Sequence, residues 1–138
     1  MVAPTGLRSY RRSIRSRGPL VALVIPTLLG IASLMMLNNS TSTGRGVGGF
    51  LVAMLAVPLL PAFGVPVRSG GSTYLLAVVS SAVVWLIVGL IASRRATRGP
   101  FATWGGFWGE YVMLALSVWA GVVLSLVAAN LVMGRALL

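Results

Sequence analysis

From Glu110 to Met133 the chain reads EYVMLALSVWAGVVLSLVAANLVM, about 24 residues with one acid at its start and one Asn near its end. As a helix rising about 1.5 Å per residue, that stretch outreaches a bilayer core of roughly 30 Å. A segment of this length and polarity has few ways to be stable except across a membrane. Along it Ser117, Gly121, Ser125 and Ala129 recur every fourth residue, so one side of the predicted helix carries no bulk. Such a face suits close packing, either against neighbours in the same bundle or against another chain. Just before it, Phe101, Trp104, Trp108 and Tyr111 step by three and four, which gathers them on one side of a helical turn. Aromatic rings of this kind favour the headgroup layer, so residues 101–109 are expected to mark where the chain enters the membrane.

Three further apolar runs precede this one, at residues 19–37, 50–67 and 73–92. Together they account for 57% hydrophobic residues against 9% charged and a mean hydropathy of +0.96, outside the range of soluble domains. The expected fold is an all-α integral membrane protein, a small bundle of four hydrophobic helices preceded by a basic segment. Residues 1–18 form that segment and residues 19–138 a single membrane domain, with no room for a separate soluble one. Cysteine is absent, which excludes intrachain disulfides.

The second run is the irregular one. It has no polar side chain, but Pro58, Pro61 and Pro66 crowd its latter half, so it reads as a kinked short span or as a re-entrant hairpin that dips in and leaves on the same side. Irregular backbone survives at membrane depth only where protein or water covers the polar groups it frees. In the first run, Pro19 suits an opening helical turn and Pro26 is expected to bend the helix. The polar, Gly-rich stretch 38–49 reads as an exposed loop, and its overlapping N-x-S/T patterns at Asn38 and Asn39 as coincidence. The segment from Arg68 to Ser72 reads as a turn.

All eleven basic residues are Arg, which suggests a GC-rich bacterial genome, and the net charge is +10. Arg8, Arg11, Arg12, Arg15 and Arg17 lie in residues 1–18, which read equally well as a disordered tail or as a surface helix with Leu7, Tyr10 and Ile14 on one face. Arg94, Arg95 and Arg98 form a second cluster, again followed by Gly-Pro. Both clusters are expected to meet anionic headgroups and to set orientation. Nucleic acid is not an expected partner, since no recognisable fold accompanies the charge.

Topology is where two signals conflict. Four spans with a cytoplasmic N-terminus divide the arginines weakly, placing Arg94, Arg95 and Arg98 opposite the N-terminal cluster. A re-entrant second run puts both clusters on one side, leaving Arg45, Arg68 and Arg135 on the other. The length of the apolar run and the tolerance of membrane helices for proline favour four spans, in the cytoplasmic membrane of a bacterium.

Chemistry is excluded more readily than it is assigned. Without His or Cys there are no imidazole or thiolate metal sites and no thiol nucleophile, and one acid cannot form a carboxylate pair. No catalytic residue, metal or cofactor is expected. Glu110 reads as a first-turn carboxylate, favoured by the helix dipole and by an ion pair with Arg94, Arg95 or Arg98, in preference to a proton-handling group. Trp85 and Trp119 lie deep in spans, where an indole N–H needs a partner. The functional expectation is a non-catalytic accessory or assembly subunit that packs on a larger complex through the last helix. The alternative is a small homo-oligomeric transporter, channel or lipid-handling protein.

Overall fold

The computed structural model describes residues 5–38, 42–63 and 70–136, and within these the chain is helical with no strand. Five α-helices follow one another: α1 (Thr5–Val21), α2 (Val24–Asn38), α3 (Thr43–Ala56), α4 (Gly71–Ala96) and α5 (Trp104–Ala136), with a single 3-10 turn at Pro61–Phe63. Pro66, Val67, Arg68 and Asn39 lie outside the described residues, as do the side chains of Leu7, Arg8 and Arg135.

Three helical units are long and apolar enough to cross a membrane: Ser9–Asn38, Gly71–Ala96 and Trp104–Gly134. Helix α3 spans 14 residues, or about 21 Å, short of the roughly 30 Å hydrocarbon core. The four-span expectation therefore meets four apolar helical units of which only three have the length. The second run is not one helix over 50–67. Its first residues complete a helix that begins at Thr43, inside the stretch read as a loop, and the helix ends at Ala56 because Pro58 has no N–H with which to continue it. Likewise α4 begins at Gly71, within the expected turn.

The first unit corrects the reading of its prolines. Helix starts at Thr5, so Pro19 sits near the end of α1 rather than opening a span, and the basic segment is a helix continuous with the apolar run. The chain is interrupted at Ala22 and Leu23, where Leu23 N donates to Leu20 O at 3.1 Å in a tighter turn, and α2 resumes at Val24. Pro26 falls in the first turn of α2, where a missing N–H is tolerated. Across this break Ile14, Gly18, Ala22 and Pro26, each four residues on from the last, are all buried.

That stripe packs on α4. A Cβ on Gly18 would lie 2.9 Å from Ser93 Cβ and 3.1 Å from the Phe107 ring; a Cβ on Gly89 would meet Ala22 Cβ and lie 2.9 Å from Pro19 Cα. Gly18 with Ala22 on one helix and Gly89 with Ser93 on the other thus make a small-residue crossing at the heart of the bundle. Around it Trp85, Val88, Ala92, Phe107, Tyr111 and Ala115 complete the core. Helices α2 and α3 form a hairpin, with Gly49 seated against Met36 and Leu37. By contrast, only 6% of the membrane-length window of α5 is buried.

Gly89→Leu is expected to destabilise the bundle by about 3 kcal/mol, since the added side chain meets backbone that cannot step aside. Reversible unfolding in mixed micelles measures it, with Gly109→Leu, where nothing lies within 4 Å of the added Cβ, as the comparison that stays near the parent.

Candidate functional site

Two breaks in the helices free main-chain groups within the apolar part of the bundle, and side chains from α4 and α5 bond four of them. At the first, Pro26 has no N–H to offer the carbonyl of Ala22 four residues back. Tyr111 fills the gap, its hydroxyl donating to Ala22 O at 2.9 Å while the ring is 2% exposed. At the second, the last turn of α3 leaves its carbonyls without intrahelical donors. Trp85 Nε1 donates to Ala56 O at 2.8 Å, and Trp119 Nε1 donates to Leu55 O at 3.1 Å. The Leu59 N–H, which a continued helix would have directed to Leu55 O, donates to Ser81 Oγ at 3.2 Å.

These residues also touch one another. Trp85 stands 6.0 Å from both Tyr111 and Trp119, ring centre to ring centre. Phe107 stacks on Tyr111 at 6.1 Å and meets Trp104 and Trp108 edge-on. The result is one aromatic column down the α4–α5 seam, in which the polar tips of Trp85, Tyr111 and Trp119 bond the two helix breaks. Phe107 is fully buried and was not singled out from the sequence, although its spacing from Tyr111, four residues, could have flagged it.

The four aromatics expected at the membrane interface therefore part company. Phe101 is 77% exposed and precedes the helix, Trp104 and Trp108 are half-buried, and Tyr111 belongs to the core. Tyr111 is buried because a carbonyl left open by a proline one helix away takes its hydroxyl.

Beside α2, α3 and α4 an apolar groove of about 380 Å³ opens, lined by Pro26, Gly30, Leu34, Ala56, Val78 and Trp85 among others. Its polar edge is confined to Thr27, Ser33, Tyr74 and the Trp85 indole. Thr27 Oγ1 is held by Leu23 O at 2.7 Å.

The arginines collect at the opposite end. Arg11 donates to Gly99 O at 2.7 Å and Arg15 Nε to Thr97 Oγ1 at 3.1 Å, so the N-terminal cluster lies against the α4–α5 connection and beside Arg94, Arg95 and Arg98. Arg12 and Arg17 are exposed on α1. Glu110 lies 3.5 Å from Arg95, both partly exposed. Exposed pairs of this kind contribute about 0–1 kcal/mol.

The small-residue face is brought together with nothing. Ser117, Gly121, Ser125 and Ala129 are all exposed, and no atom comes within 4 Å of a Cβ built on Gly121. Packing inside the bundle, one of the two expectations for this face, does not occur among the described residues; small residues pack elsewhere, at Gly18, Gly49 and Gly89. Ser117 Oγ donates to Met113 O and Ser125 Oγ to Val122 O, so both hydroxyls are satisfied within their own helix. Asn130 is exposed as well. Among the described residues no group of three or more metal-ligating side chains occurs.

Comparison with known protein families, with curated protein sequences and with solved structures gave no match.

Tyr111→Phe is expected to cost about 1 kcal/mol by leaving the Ala22 carbonyl unbonded in an apolar setting. The loss should shrink in a Pro26→Ala background, where residue 26 regains the N–H that can reach that carbonyl. A double-mutant cycle on unfolding free energy reads the coupling, and equal losses in both backgrounds would detach Tyr111 from the proline.

Proposed function

We propose that this chain is a non-catalytic accessory or assembly subunit that docks laterally on a larger complex in a bacterial cytoplasmic membrane, through the small-residue face of α5. The observation that carries the reading is the open face itself. From Ala120 to Gly134 only Val122 is even partly covered, although the helix runs for 33 residues, or about 50 Å. Such a surface lets a partner helix approach closely, and its serines need no new hydrogen bonds when it does. Lipid alone would not select Gly and Ser there. Ser81, Trp85, Ser93, Thr97 and Tyr111 inside the bundle are engaged with its backbone, which favours shape as the means of action.

In the disposition we propose, α1 with α2, α4 and α5 cross the membrane, while α3 and the 3-10 turn enter and leave from one side. Support comes from the contacts of Arg11 and Arg15 with the α4–α5 connection, which put both arginine clusters at one end. The positive-inside bias assigns that end to the cytoplasm. Anionic headgroups are the expected lipid partners there.

A second reading, a lipid-handling protein or small transporter, draws on the apolar groove beside α3. Its volume suits an acyl chain, and its lining reaches both breaks in the helices, at Leu23 and at Val57. Flux or lipid exchange by the purified chain alone in proteoliposomes would favour it over docking.

Two measurements test the leading reading. Gly121→Leu should abolish co-purification with partner subunits in mild detergent, at least tenfold by quantitative mass spectrometry, while membrane insertion is unchanged; an unaltered complex would count against the face. For topology, single cysteines are available because the chain has none of its own. Arg17→Cys and Gly99→Cys should react with an impermeant thiol reagent from the same side, and Gly44→Cys from the other. Labelling of the first two from opposite sides would restore the four-span arrangement.

A further inference from the structure

Where the second half of α1 passes the end of α4, Arg15, Arg94 and Arg98 line one cleft of about 430 Å³ together with Leu90 and Ser93. Three guanidiniums share this space, and no carboxylate answers them. Glu110, the only acidic side chain in the sequence, is engaged by Arg95. Arg15 is fixed through Nε on Thr97 Oγ1, and Thr97 is itself 2% exposed and anchored on Ser93 O at 2.8 Å. That anchor leaves the terminal nitrogens of Arg15, and the whole guanidiniums of Arg94 and Arg98, without a hydrogen bond or ion pair among the described residues. Like charges gathered this way repel one another unless an anion joins them.

The composition of the cleft says which anion. Planar guanidinium forks match phosphate oxygens in pairs, better than a point charge does. Leu90 lies one helical turn from Arg94, on the side of the apolar span, so an apolar wall continues from the charged rim toward the hydrocarbon. Ser93 Oγ is turned back to Leu90 O at 2.9 Å and offers that wall no free donor. A soluble phosphate would use the rim alone, whereas a phospholipid uses both parts.

We propose that this cleft binds one anionic phospholipid, its phosphate held by Arg15, Arg94 and Arg98 and the first methylenes of its acyl chain laid along Leu90. The inference rests on the membrane disposition proposed above and is independent of the docking face of α5. It replaces a diffuse attraction of basic residues for the membrane surface by a stoichiometric site.

Native mass spectrometry of the purified chain in a neutral detergent tests it, with phosphatidylglycerol and phosphatidylcholine of identical acyl chains as probes. One phosphatidylglycerol should be retained per chain, about tenfold more tightly than phosphatidylcholine. In Arg94→Gln/Arg98→Gln that preference should fall about tenfold, whereas Arg17→Gln/Arg45→Gln, which removes the same charge elsewhere, should keep it within about twofold. Equal retention of the two lipids by the parent chain overturns the proposal without recourse to any variant. So does an equal effect of the two double substitutions. Glycerol 1-phosphate binding as tightly as the lipid would overturn the lipid assignment in favour of a soluble anion. Gly121→Leu should leave lipid retention untouched, which separates failure of this site from failure of the docking face.

Discussion

In hydrocarbon there is no water to bond an amide that a helix releases, so a proline in a membrane segment creates a debt that another part of the protein must settle. This bundle is arranged around two such debts. Pro26 opens the carbonyl of Ala22, and Tyr111 from α5 bonds it. Pro58 stops α3, and the carbonyls of Leu55 and Ala56 go to the indoles of Trp119 and Trp85 while Leu59 N–H goes to Ser81. The aromatic column between α4 and α5 is therefore a polar device as much as an apolar one. Its rings fill the core, and the groups at their tips make two broken helices tolerable. Among the described residues, no buried side-chain nitrogen or oxygen lacks a partner.

Bringing those tips within reach requires α1 and α4 to lie very close. Lipid tails are as apolar as leucine, so helices in a membrane associate by contact rather than by escape from water. Gly18 on α1 and Ala22 at the break that follows it meet Gly89 and Ser93 on α4, with backbone against backbone where larger residues would hold the helices apart. This crossing sets the depth of the break at Ala22 and Leu23 relative to Tyr111. It also sets the height at which Arg11 and Arg15 reach the α4–α5 connection. Packing and charge thus agree on one antiparallel register for α1 and α4, with the arginines of those two helices gathered at one end and the proline-broken elements toward the other.

Much of this was legible in the residues. Apolar length marked the membrane-crossing units, and the crowding of Pro58, Pro61 and Pro66 marked the place where helix fails. The deep tryptophans were readable as side chains in need of acceptors. Other features were not. A stripe of small residues is visible on α5 from spacing alone, and a less regular one is present on α1 and α4, where Gly18 lies beside Pro19 and among arginines. Spacing cannot say which stripe finds a partner, because it describes one helix at a time. The α5 stripe meets nothing within the chain, and the interrupted one carries the crossing.

The sequence by itself determined that the chain is helical and that it has the apolar length of a membrane protein. Both follow from hydropathy over a helix length; of chemistry the inventory says only that there is no His, no Cys and a single acid. Only the tertiary structure decided that Tyr111 is buried against the carbonyl of Ala22 and that α3 stops after 14 residues with the carbonyls of Leu55 and Ala56 bonded to indoles. It also decided that three arginines from distant segments, Arg15, Arg94 and Arg98, share one cleft. Each of those depends on a donor, an acceptor or a charge brought near by a different helix, and proximity between helices is a property of their packing that no single segment encodes.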